Sequence, residues 1–374
     1  HIALMIDDAA TGKSRFYDYG LFSFENENFF TNFALGRLLY SCGASPSSAS
    51  IAAYVRTNRD VRLYTLDLPP EKRAEIRDFA ETNVLPENRD YYYHHFRDNC
   101  STRIRDIIDL ATGGRFKEEF GAAPGRFTYR QHVRRHTWFS PCMDWILNFW
   151  MGQDIDRPVT VWDEMFLPSE VGLRINDFRY TDSGGISRKL VSGIEEINRA
   201  EGRPAVLDVP RRQWPRELAA GIAAAALLLV FFFLRDRCPA GRILAGTAQS
   251  LAGLFFGIAG LLLFFMWAFT NHDYTYHNMN LLFANPLLLA AVPLGIRYVM
   301  APNAAAREMP ELLIRALWLL VLLGVFASML LKLLPWFWQR NLVDEMLVLP
   351  VALVLALEPF GLKDLAGRVF WRWL

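Results

Sequence analysis

The chain has 374 residues, 52% of them hydrophobic, and a formal net charge of +1 at pH 7. A balance so close to neutral gives no reason to expect a nucleic-acid partner, and the length allows two domains. The four cysteines show no CxxC or Cys/His zinc spacing, which argues against a structural metal site, and no cofactor is expected. Charge, turn glycines and prolines concentrate in residues 1–215, whereas from residue 218 long apolar runs alternate with short polar loops. The chain opens inside a strand pattern with no signal peptide, so further sequence is expected upstream.

Residues 1–6 alternate as a strand, 7–14 turn, and 15–19 return to end at Gly20. Such a hairpin brings His1 and Asp18 to the same end, where His1 can act as a general base oriented by the Asp18 carboxylate. A histidine at a strand start is as readily a half-exposed polar residue. The aromatic-rich stretch 22–42 predicts a loop and a short helix packed on the hairpin. Residues 61–68 form another strand, and Pro69-Pro70 open a helix over 71–84.

Residues 91–109 carry the densest signal. Tyr91, Tyr92 and Tyr93 suit a strand, in which His94 and His95 point to opposite faces and read as structural polar residues. The chain then turns at Asp98-Asn99, and Ile104, Ile107, Ile108 and Ala111 recur at helical spacing until Gly113-Gly114. With Asn99 as N-cap, Cys100 falls in the first helical turn. A thiol there meets unpaired N–H groups and the positive end of the helix dipole, both of which favour thiolate; Asp98 works against them. Cys100 therefore reads either as a nucleophile or as a small residue at a helix start.

Further on, 126–150 is mixed with a helix over 141–151, Phe166-Leu167-Pro168 ends another helix, and 178–190 reads as a hairpin with its tip at 183–185. A basic juncture, 203–216, leads toward the membrane. Cys42 and Cys142 both lie in the half expected to be exported, where a disulfide is allowed; two free buried thiols are the expectation.

The apolar runs 218–234, 243–269, 278–296 and 316–331 each approach the roughly 20 residues that cross a bilayer, the third interrupted by Asn285-Pro286. Residues 342–362 make a fifth span despite Asp344, Glu345 and Glu358. The loops 235–242 and 297–315 hold three Arg each, 270–277 holds no Lys or Arg, and the tail carries Lys363, Arg368 and Arg372. The positive-inside rule then puts the first and third loops and the C-terminus in the cytoplasm, and residues 1–215 outside it. The two basic residues of loop 332–341 do not overturn this. The stretch 271–286 is dense in His, Asp and Asn: His272 and His277 are spaced poorly for a metal but suit a substrate-binding rim, or else the loop is simply solvated with an interfacial Tyr belt.

Several of these blocks together resemble one family. His1-Ile-Ala-Leu4, Tyr17-Asp-Tyr-Gly20, Phe33-Ala-Leu-Gly36, Tyr93, Phe96-Arg-Asp-Asn-Cys-Ser-Thr-Arg103 with Asp106, and Phe166-Leu-Pro168 look like the Lnb N-terminal periplasmic domain. His272, Asn278-Met-Asn-Leu-Leu282 and Asn285-Pro-Leu287 look like the membrane half of the same family. The resemblance implies an α+β chain: a papain-like, circularly permuted NlpC/P60-like periplasmic catalytic domain over 1–215, then an all-α bundle of five transmembrane helices over 216–374 in a bacterial inner membrane. It implies a lipoprotein N-acyltransferase that moves a fatty acyl chain from a phospholipid donor to the α-amine of the lipid-bearing cysteine of a lipoprotein acceptor. Cys100 would be the nucleophile that carries the thioester, His1 the base and Asp18 its orienter. Asn99, Arg103, His272, His277 and Asn280 would bind substrate, with no metal. The lecithin:retinol acyltransferase group has a histidine where Asp18 stands, a role that a carboxylate can fill. A membrane-anchored cell-wall peptidase or amidase with the same residues, and a non-catalytic scaffold, are the alternatives; five spans favour the lipid reading, since a peptidase needs one anchor.

Overall fold

A computed structural model of the chain describes residues 1–24, 28–235 and 237–357. They form two compact units, one of His1–Tyr129 with Arg157–Val206, the other of Arg130–Asp156 with the chain from Leu207 onward. The sequence reading sets one boundary near residue 215; in the structure 130–156 belongs with the C-terminal unit.

The first unit mixes helix and sheet. Its strands are β1 (Leu4–Asp8), β2 (Lys13–Leu21), β3 (Leu39–Pro46), β4 (Val61–Leu66), β5 (Asp90–Tyr92), β6 (Arg179–Thr181), β7 (Ser187–Lys189) and β8 (Val191–Asn198). An antiparallel sheet runs in the order β1-β2-β3-β5, and β4-β8 and β6-β7 form two separate ribbons. In the first hairpin Leu4 faces Tyr17 and Asp8 faces Lys13. Its turn closes on the Asp8 carboxylate, which accepts the Ala10 N–H at 2.9 Å, and on Gly12, whose φ of 66° favours glycine.

The helix Cys100–Ala111 buries Ile104, Ile107, Ile108 and Ala111 in one cluster with Tyr17, Tyr19 and Cys42 from the sheet and Ile76 and Ala80 from the helix Pro70–Asn83. Each large apolar side chain so buried contributes about 1.5–3 kcal/mol. The structure adds elements that the sequence reading lacks. The short helix expected within 22–42 is Phe29–Ala34, but β3 already begins at Leu39, followed by an unforeseen helix, Ser47–Arg56. Phe166-Leu167-Pro168 follows the end of the short helix Val161–Glu164, as expected, and Pro168 also opens the helix Pro168–Asp177, since proline needs no N–H partner in a first turn. The last strand, β8, follows the predicted 178–190 hairpin and pairs with β4.

Among the described residues of the second unit, four helical segments are long and apolar enough to cross a membrane: Trp214–Arg235, Pro239–Phe269, Met279–Met300 and Ala304–Leu331. The third begins as two short 3-10 turns, Met279–Leu282 and Pro286–Ala290, so the predicted interruption at Asn285-Pro286 is real. Glycines let these segments approach closely: a Cβ on Gly260 would stand 2.3 Å from Asn285 Cα, and one on Gly257 2.7 Å from the Leu289 nitrogen. The expected fifth span is described as the 16-residue helix Leu342–Leu357. Its described part alone covers about 24 Å at 1.5 Å per residue, most of the roughly 30 Å hydrocarbon core. The rest of 342–362 and the basic tail with Lys363, Arg368 and Arg372 lie outside the described residues.

Candidate active site

The hairpin register that pairs Leu4 with Tyr17 sets His1 beside Gly20 and within reach of Asp18. Tyr17 and Tyr19 are each 1% exposed in the core, so Asp18 between them is directed to the other face of the strand. There His1 Nε2 lies 3.0 Å from Asp18 Oδ1, and the same oxygen accepts the Gly20 N–H at 2.7 Å. Tyr54, from the helix Ser47–Arg56, stacks on the His1 ring with centroids 5.8 Å apart and planes inclined by 24°. The imidazole also hydrogen-bonds the Cys100 side chain. Burial alone pushes the imidazole toward neutrality, but the hydrogen bonds to Asp18 and Cys100 outweigh it and raise its pKa to about 10. The ring is therefore held in its protonated, imidazolium form at neutral pH.

Cys100 owes its position to the cap. Asn99 is extended at φ −133°, and its side-chain oxygen accepts the N–H groups of Ser101 at 2.8 Å and Thr102 at 3.0 Å. Thr102 Oγ1 accepts the Asn99 N–H in return, closing a capping box. The Asn99 amide donates to the carbonyls of His95 at 2.8 Å and Phe166 at 3.1 Å, and Ser101 donates to the Met165 carbonyl. The Asn-Cys-Ser-Thr and Phe-Leu-Pro blocks thus lock into one another. The Asn99 side-chain oxygen accepts from Ser101 and Thr102, which leaves the Cys100 N–H outside the capping box at the positive end of the helix dipole.

The expected substrate contacts divide by geometry. Asn99 is buried with both side-chain groups engaged, so it shapes the site rather than meeting a ligand. Arg103 grips Asp98 with two bonds, 2.6 and 2.7 Å, and lies 4.3 Å over the Tyr91 ring. That pair offsets the Asp98 charge, the one feature of the motif that opposes a thiolate. His94 accepts two turn N–H groups at its Nδ1, as expected of a structural residue. His272, His277 and Asn280 belong to the second unit. There His272 is buried with Nδ1 2.8 Å from the Tyr274 hydroxyl, while His277 is exposed with Nδ1 3.1 Å from Asp154. Asn280 is fully buried, donating to the Phe149 carbonyl at 2.9 Å and accepting from Asn341 at 2.7 Å.

Sequence reasoning missed the aromatic wall. Tyr40 and Tyr93 stack at 4.2 Å, and each hydroxyl is held protonated by burial first and then by negative charge at Cys100. Tyr54 is likewise raised, to about 12, by burial and the neighbouring carboxylate of Asp18. Cys42 and Cys142 are both free thiols, but only Cys42 is buried; burial lifts its pKa to about 11, and Cys142 is exposed. Among the described residues no three His, Cys, Asp or Glu side chains converge to hold a metal ion.

The family model of the Lnb N-terminal periplasmic domain matches residues 1–135, and that of the Lnb transmembrane domain matches residues 221–358. No curated protein and no solved structure matches the chain.

Proposed function

Because the chain belongs to the Lnb-type family, of multi-pass membrane proteins that process lipoproteins and carry a periplasmic N-terminal domain, we propose that it is a lipoprotein N-acyltransferase working through a thioester at Cys100. The observation that carries the proposal is the His1 imidazole shared between Asp18, at 3.0 Å, and the Cys100 side chain at the start of a helix. The order of base before nucleophile in the chain fits a circularly permuted papain-like arrangement in the periplasm.

In the first half-reaction the Cys100 sulfur attacks the ester carbonyl of a phospholipid. The developing oxyanion accepts a hydrogen bond from the Cys100 N–H. As the C–O bond breaks, His1 gives its proton to the departing lysophospholipid oxygen, leaving an acyl thioester and a neutral imidazole. In the second, the α-amine of the lipoprotein cysteine attacks the thioester. His1 takes the amine proton, the C–S bond breaks, and the imidazolium–thiolate pair returns. Asp18 holds the ring and stabilises its charged form throughout. With both substrates anchored in the bilayer, neither acyl chain has to enter water, which would cost about 0.8 kcal/mol per exposed CH₂.

The test is the intact mass of the protein after incubation with phospholipid and no acceptor. An acyl-sized increase, removed by neutral hydroxylamine and lost in Cys100→Ala, is expected. Full transacylation by Cys100→Ala, or cleavage of peptidoglycan without phospholipid turnover, would overturn the assignment.

A further inference from the structure

The first unit exposes a dense aromatic shelf next to its site. Phe22 is 47% exposed, Phe24 66%, Phe30 76% and Phe33 52%, and the helix Phe29–Ala34 that carries two of them buries no residue. These rings are not scattered. Phe22 and Phe24 pack edge to face at 5.1 Å, Phe24 and Phe29 at 4.9 Å, and Phe29 and Phe33 stack at 6.0 Å. Exposed apolar surface gathered this way marks a binding surface.

Two observations identify its occupant. The shelf continues ring to ring into the site: Phe22 meets Tyr40 at 5.3 Å, and Tyr40 stacks on Tyr93 at 4.2 Å beside Cys100. The same chain carries helices long and apolar enough to cross a membrane from Trp214 onward, so the domain is tethered to a lipid bilayer. The chemistry is graded accordingly, with bare phenyl rings at the outer end and tyrosines, which have an apolar body and a polar tip, toward the site. We propose that Phe22, Phe24, Phe30 and Phe33 insert among the lipid acyl chains of the leaflet facing the periplasmic domain and guide one chain along Tyr40 and Tyr93 to Cys100. Insertion stands apart from the acyl-transfer reading; delivery to Cys100 rests on it.

The first experiment uses the full chain with Cys100→Ala, reconstituted in vesicles of phosphatidylethanolamine and phosphatidylglycerol, with p-benzoylphenylalanine in place of Phe30. Irradiation should give a phospholipid adduct at position 30. The same probe at Ile194, also exposed but in β8 on a different sheet, should give much less. A crosslink to a second copy of the chain, or no lipid adduct, overturns insertion; because this variant has no thiol at 100, that failure leaves the chemistry untouched. The second uses Phe24→Ser combined with Phe30→Ser. Its kcat/KM should fall about tenfold with long-chain phospholipid and stay unchanged with a water-soluble dihexanoyl phospholipid. Equal loss on both donors, or no loss on either, overturns delivery.

Discussion

Asp18, Cys100 and Tyr54 hold His1 from different sides, and two of its properties can be read out separately. The first is its charge. With its pKa raised from 6.5 to about 10 in the folded protein, the imidazolium contributes stability that is complete below pH 6.5 and is lost as pH rises through about 10. The difference in Tm between the native protein and His1→Ala should therefore be widest at or below pH 6.5 and shrink toward pH 10. A gap that widens with pH would contradict the charged ring. The second property is position. Gly20 leaves the space the ring occupies, since a Cβ there would lie 2.9 Å from His1 Cε1 and 3.4 Å from Asp18 Oδ1. Gly20→Ala should displace the ring with little loss of fold, slowing phospholipid-dependent acylation of Cys100 on the order of 10²-fold at nearly unchanged Tm. Acylation at the native rate would mean that ring placement is not limiting.

The helix Cys100–Ala111 shows what an element adds to its residues. Asn99 satisfies two helix N–H groups and two carbonyls, of His95 and Phe166, from a buried position. Asn99→Ala should cost about 1–2 kcal/mol, seen as a Tm lower by about 2–8 °C, and should slow acylation because the first turn frays around the thiol. Unchanged Tm would show that the capping box is not what fixes Cys100. This element was legible in the sequence because its signals are local: a cap residue, a 3.6-residue apolar period and a glycine stop. The His1–Asp18 pair was legible because an antiparallel hairpin fixes its partners from a single turn. The elements from residue 39 to 56 were not. Leu-Tyr-Ser-Cys-Gly-Ala-Ser-Pro has too few large apolar residues to alternate visibly, and it is a strand because β2 and β5 flank it. Tyr54 sits on a helix of small residues, Ser-Ser-Ala-Ser-Ile-Ala-Ala, whose contact with His1 only tertiary packing reveals. Phe166-Leu167-Pro168 was legible as the end of Val161–Glu164, but not as the start of Pro168–Asp177, because a proline both stops one helix and starts the next.

At the scale of the whole chain, the second unit is organised around buried charge. Arg130 has no exposure and spends its guanidinium on Asp156 and on the carbonyls of Asn148, Met151 and Gly152, while Lys332 pairs with the buried Glu345 at 2.6 Å. The ties between residues 130–156 and the chain from Trp214 on run through other groups: Asn278 and Asn280 both donate to the Phe149 carbonyl at 2.9 Å, and the Arg340 N–H donates to Asp156 at 2.9 Å, a grouping that no periodicity in the sequence could announce. How often the chain crosses the bilayer then follows from where its ends lie. The N-terminal domain is periplasmic. Four crossings would return the C-terminus to the periplasm, and five would leave it in the cytoplasm. The helix that begins at Leu342, described as far as Leu357, decides between them. The basic residues of the tail, Lys363, Arg368 and Arg372, favour the cytoplasm. A reporter active only outside the cytoplasm should be silent when fused after Arg237, active after Phe269, silent after Met300, active after Pro335 and silent after Leu374. Activity after Arg237 with silence after Phe269 would invert the topology and carry the candidate site away from the lipid and lipoprotein substrates proposed for it. Activity after Leu374 alone would reduce the crossings to four. It would also make Leu342–Leu357 a helix that lies against the bundle without crossing, held there by Glu345 and its bonds to Lys332 and Ser328.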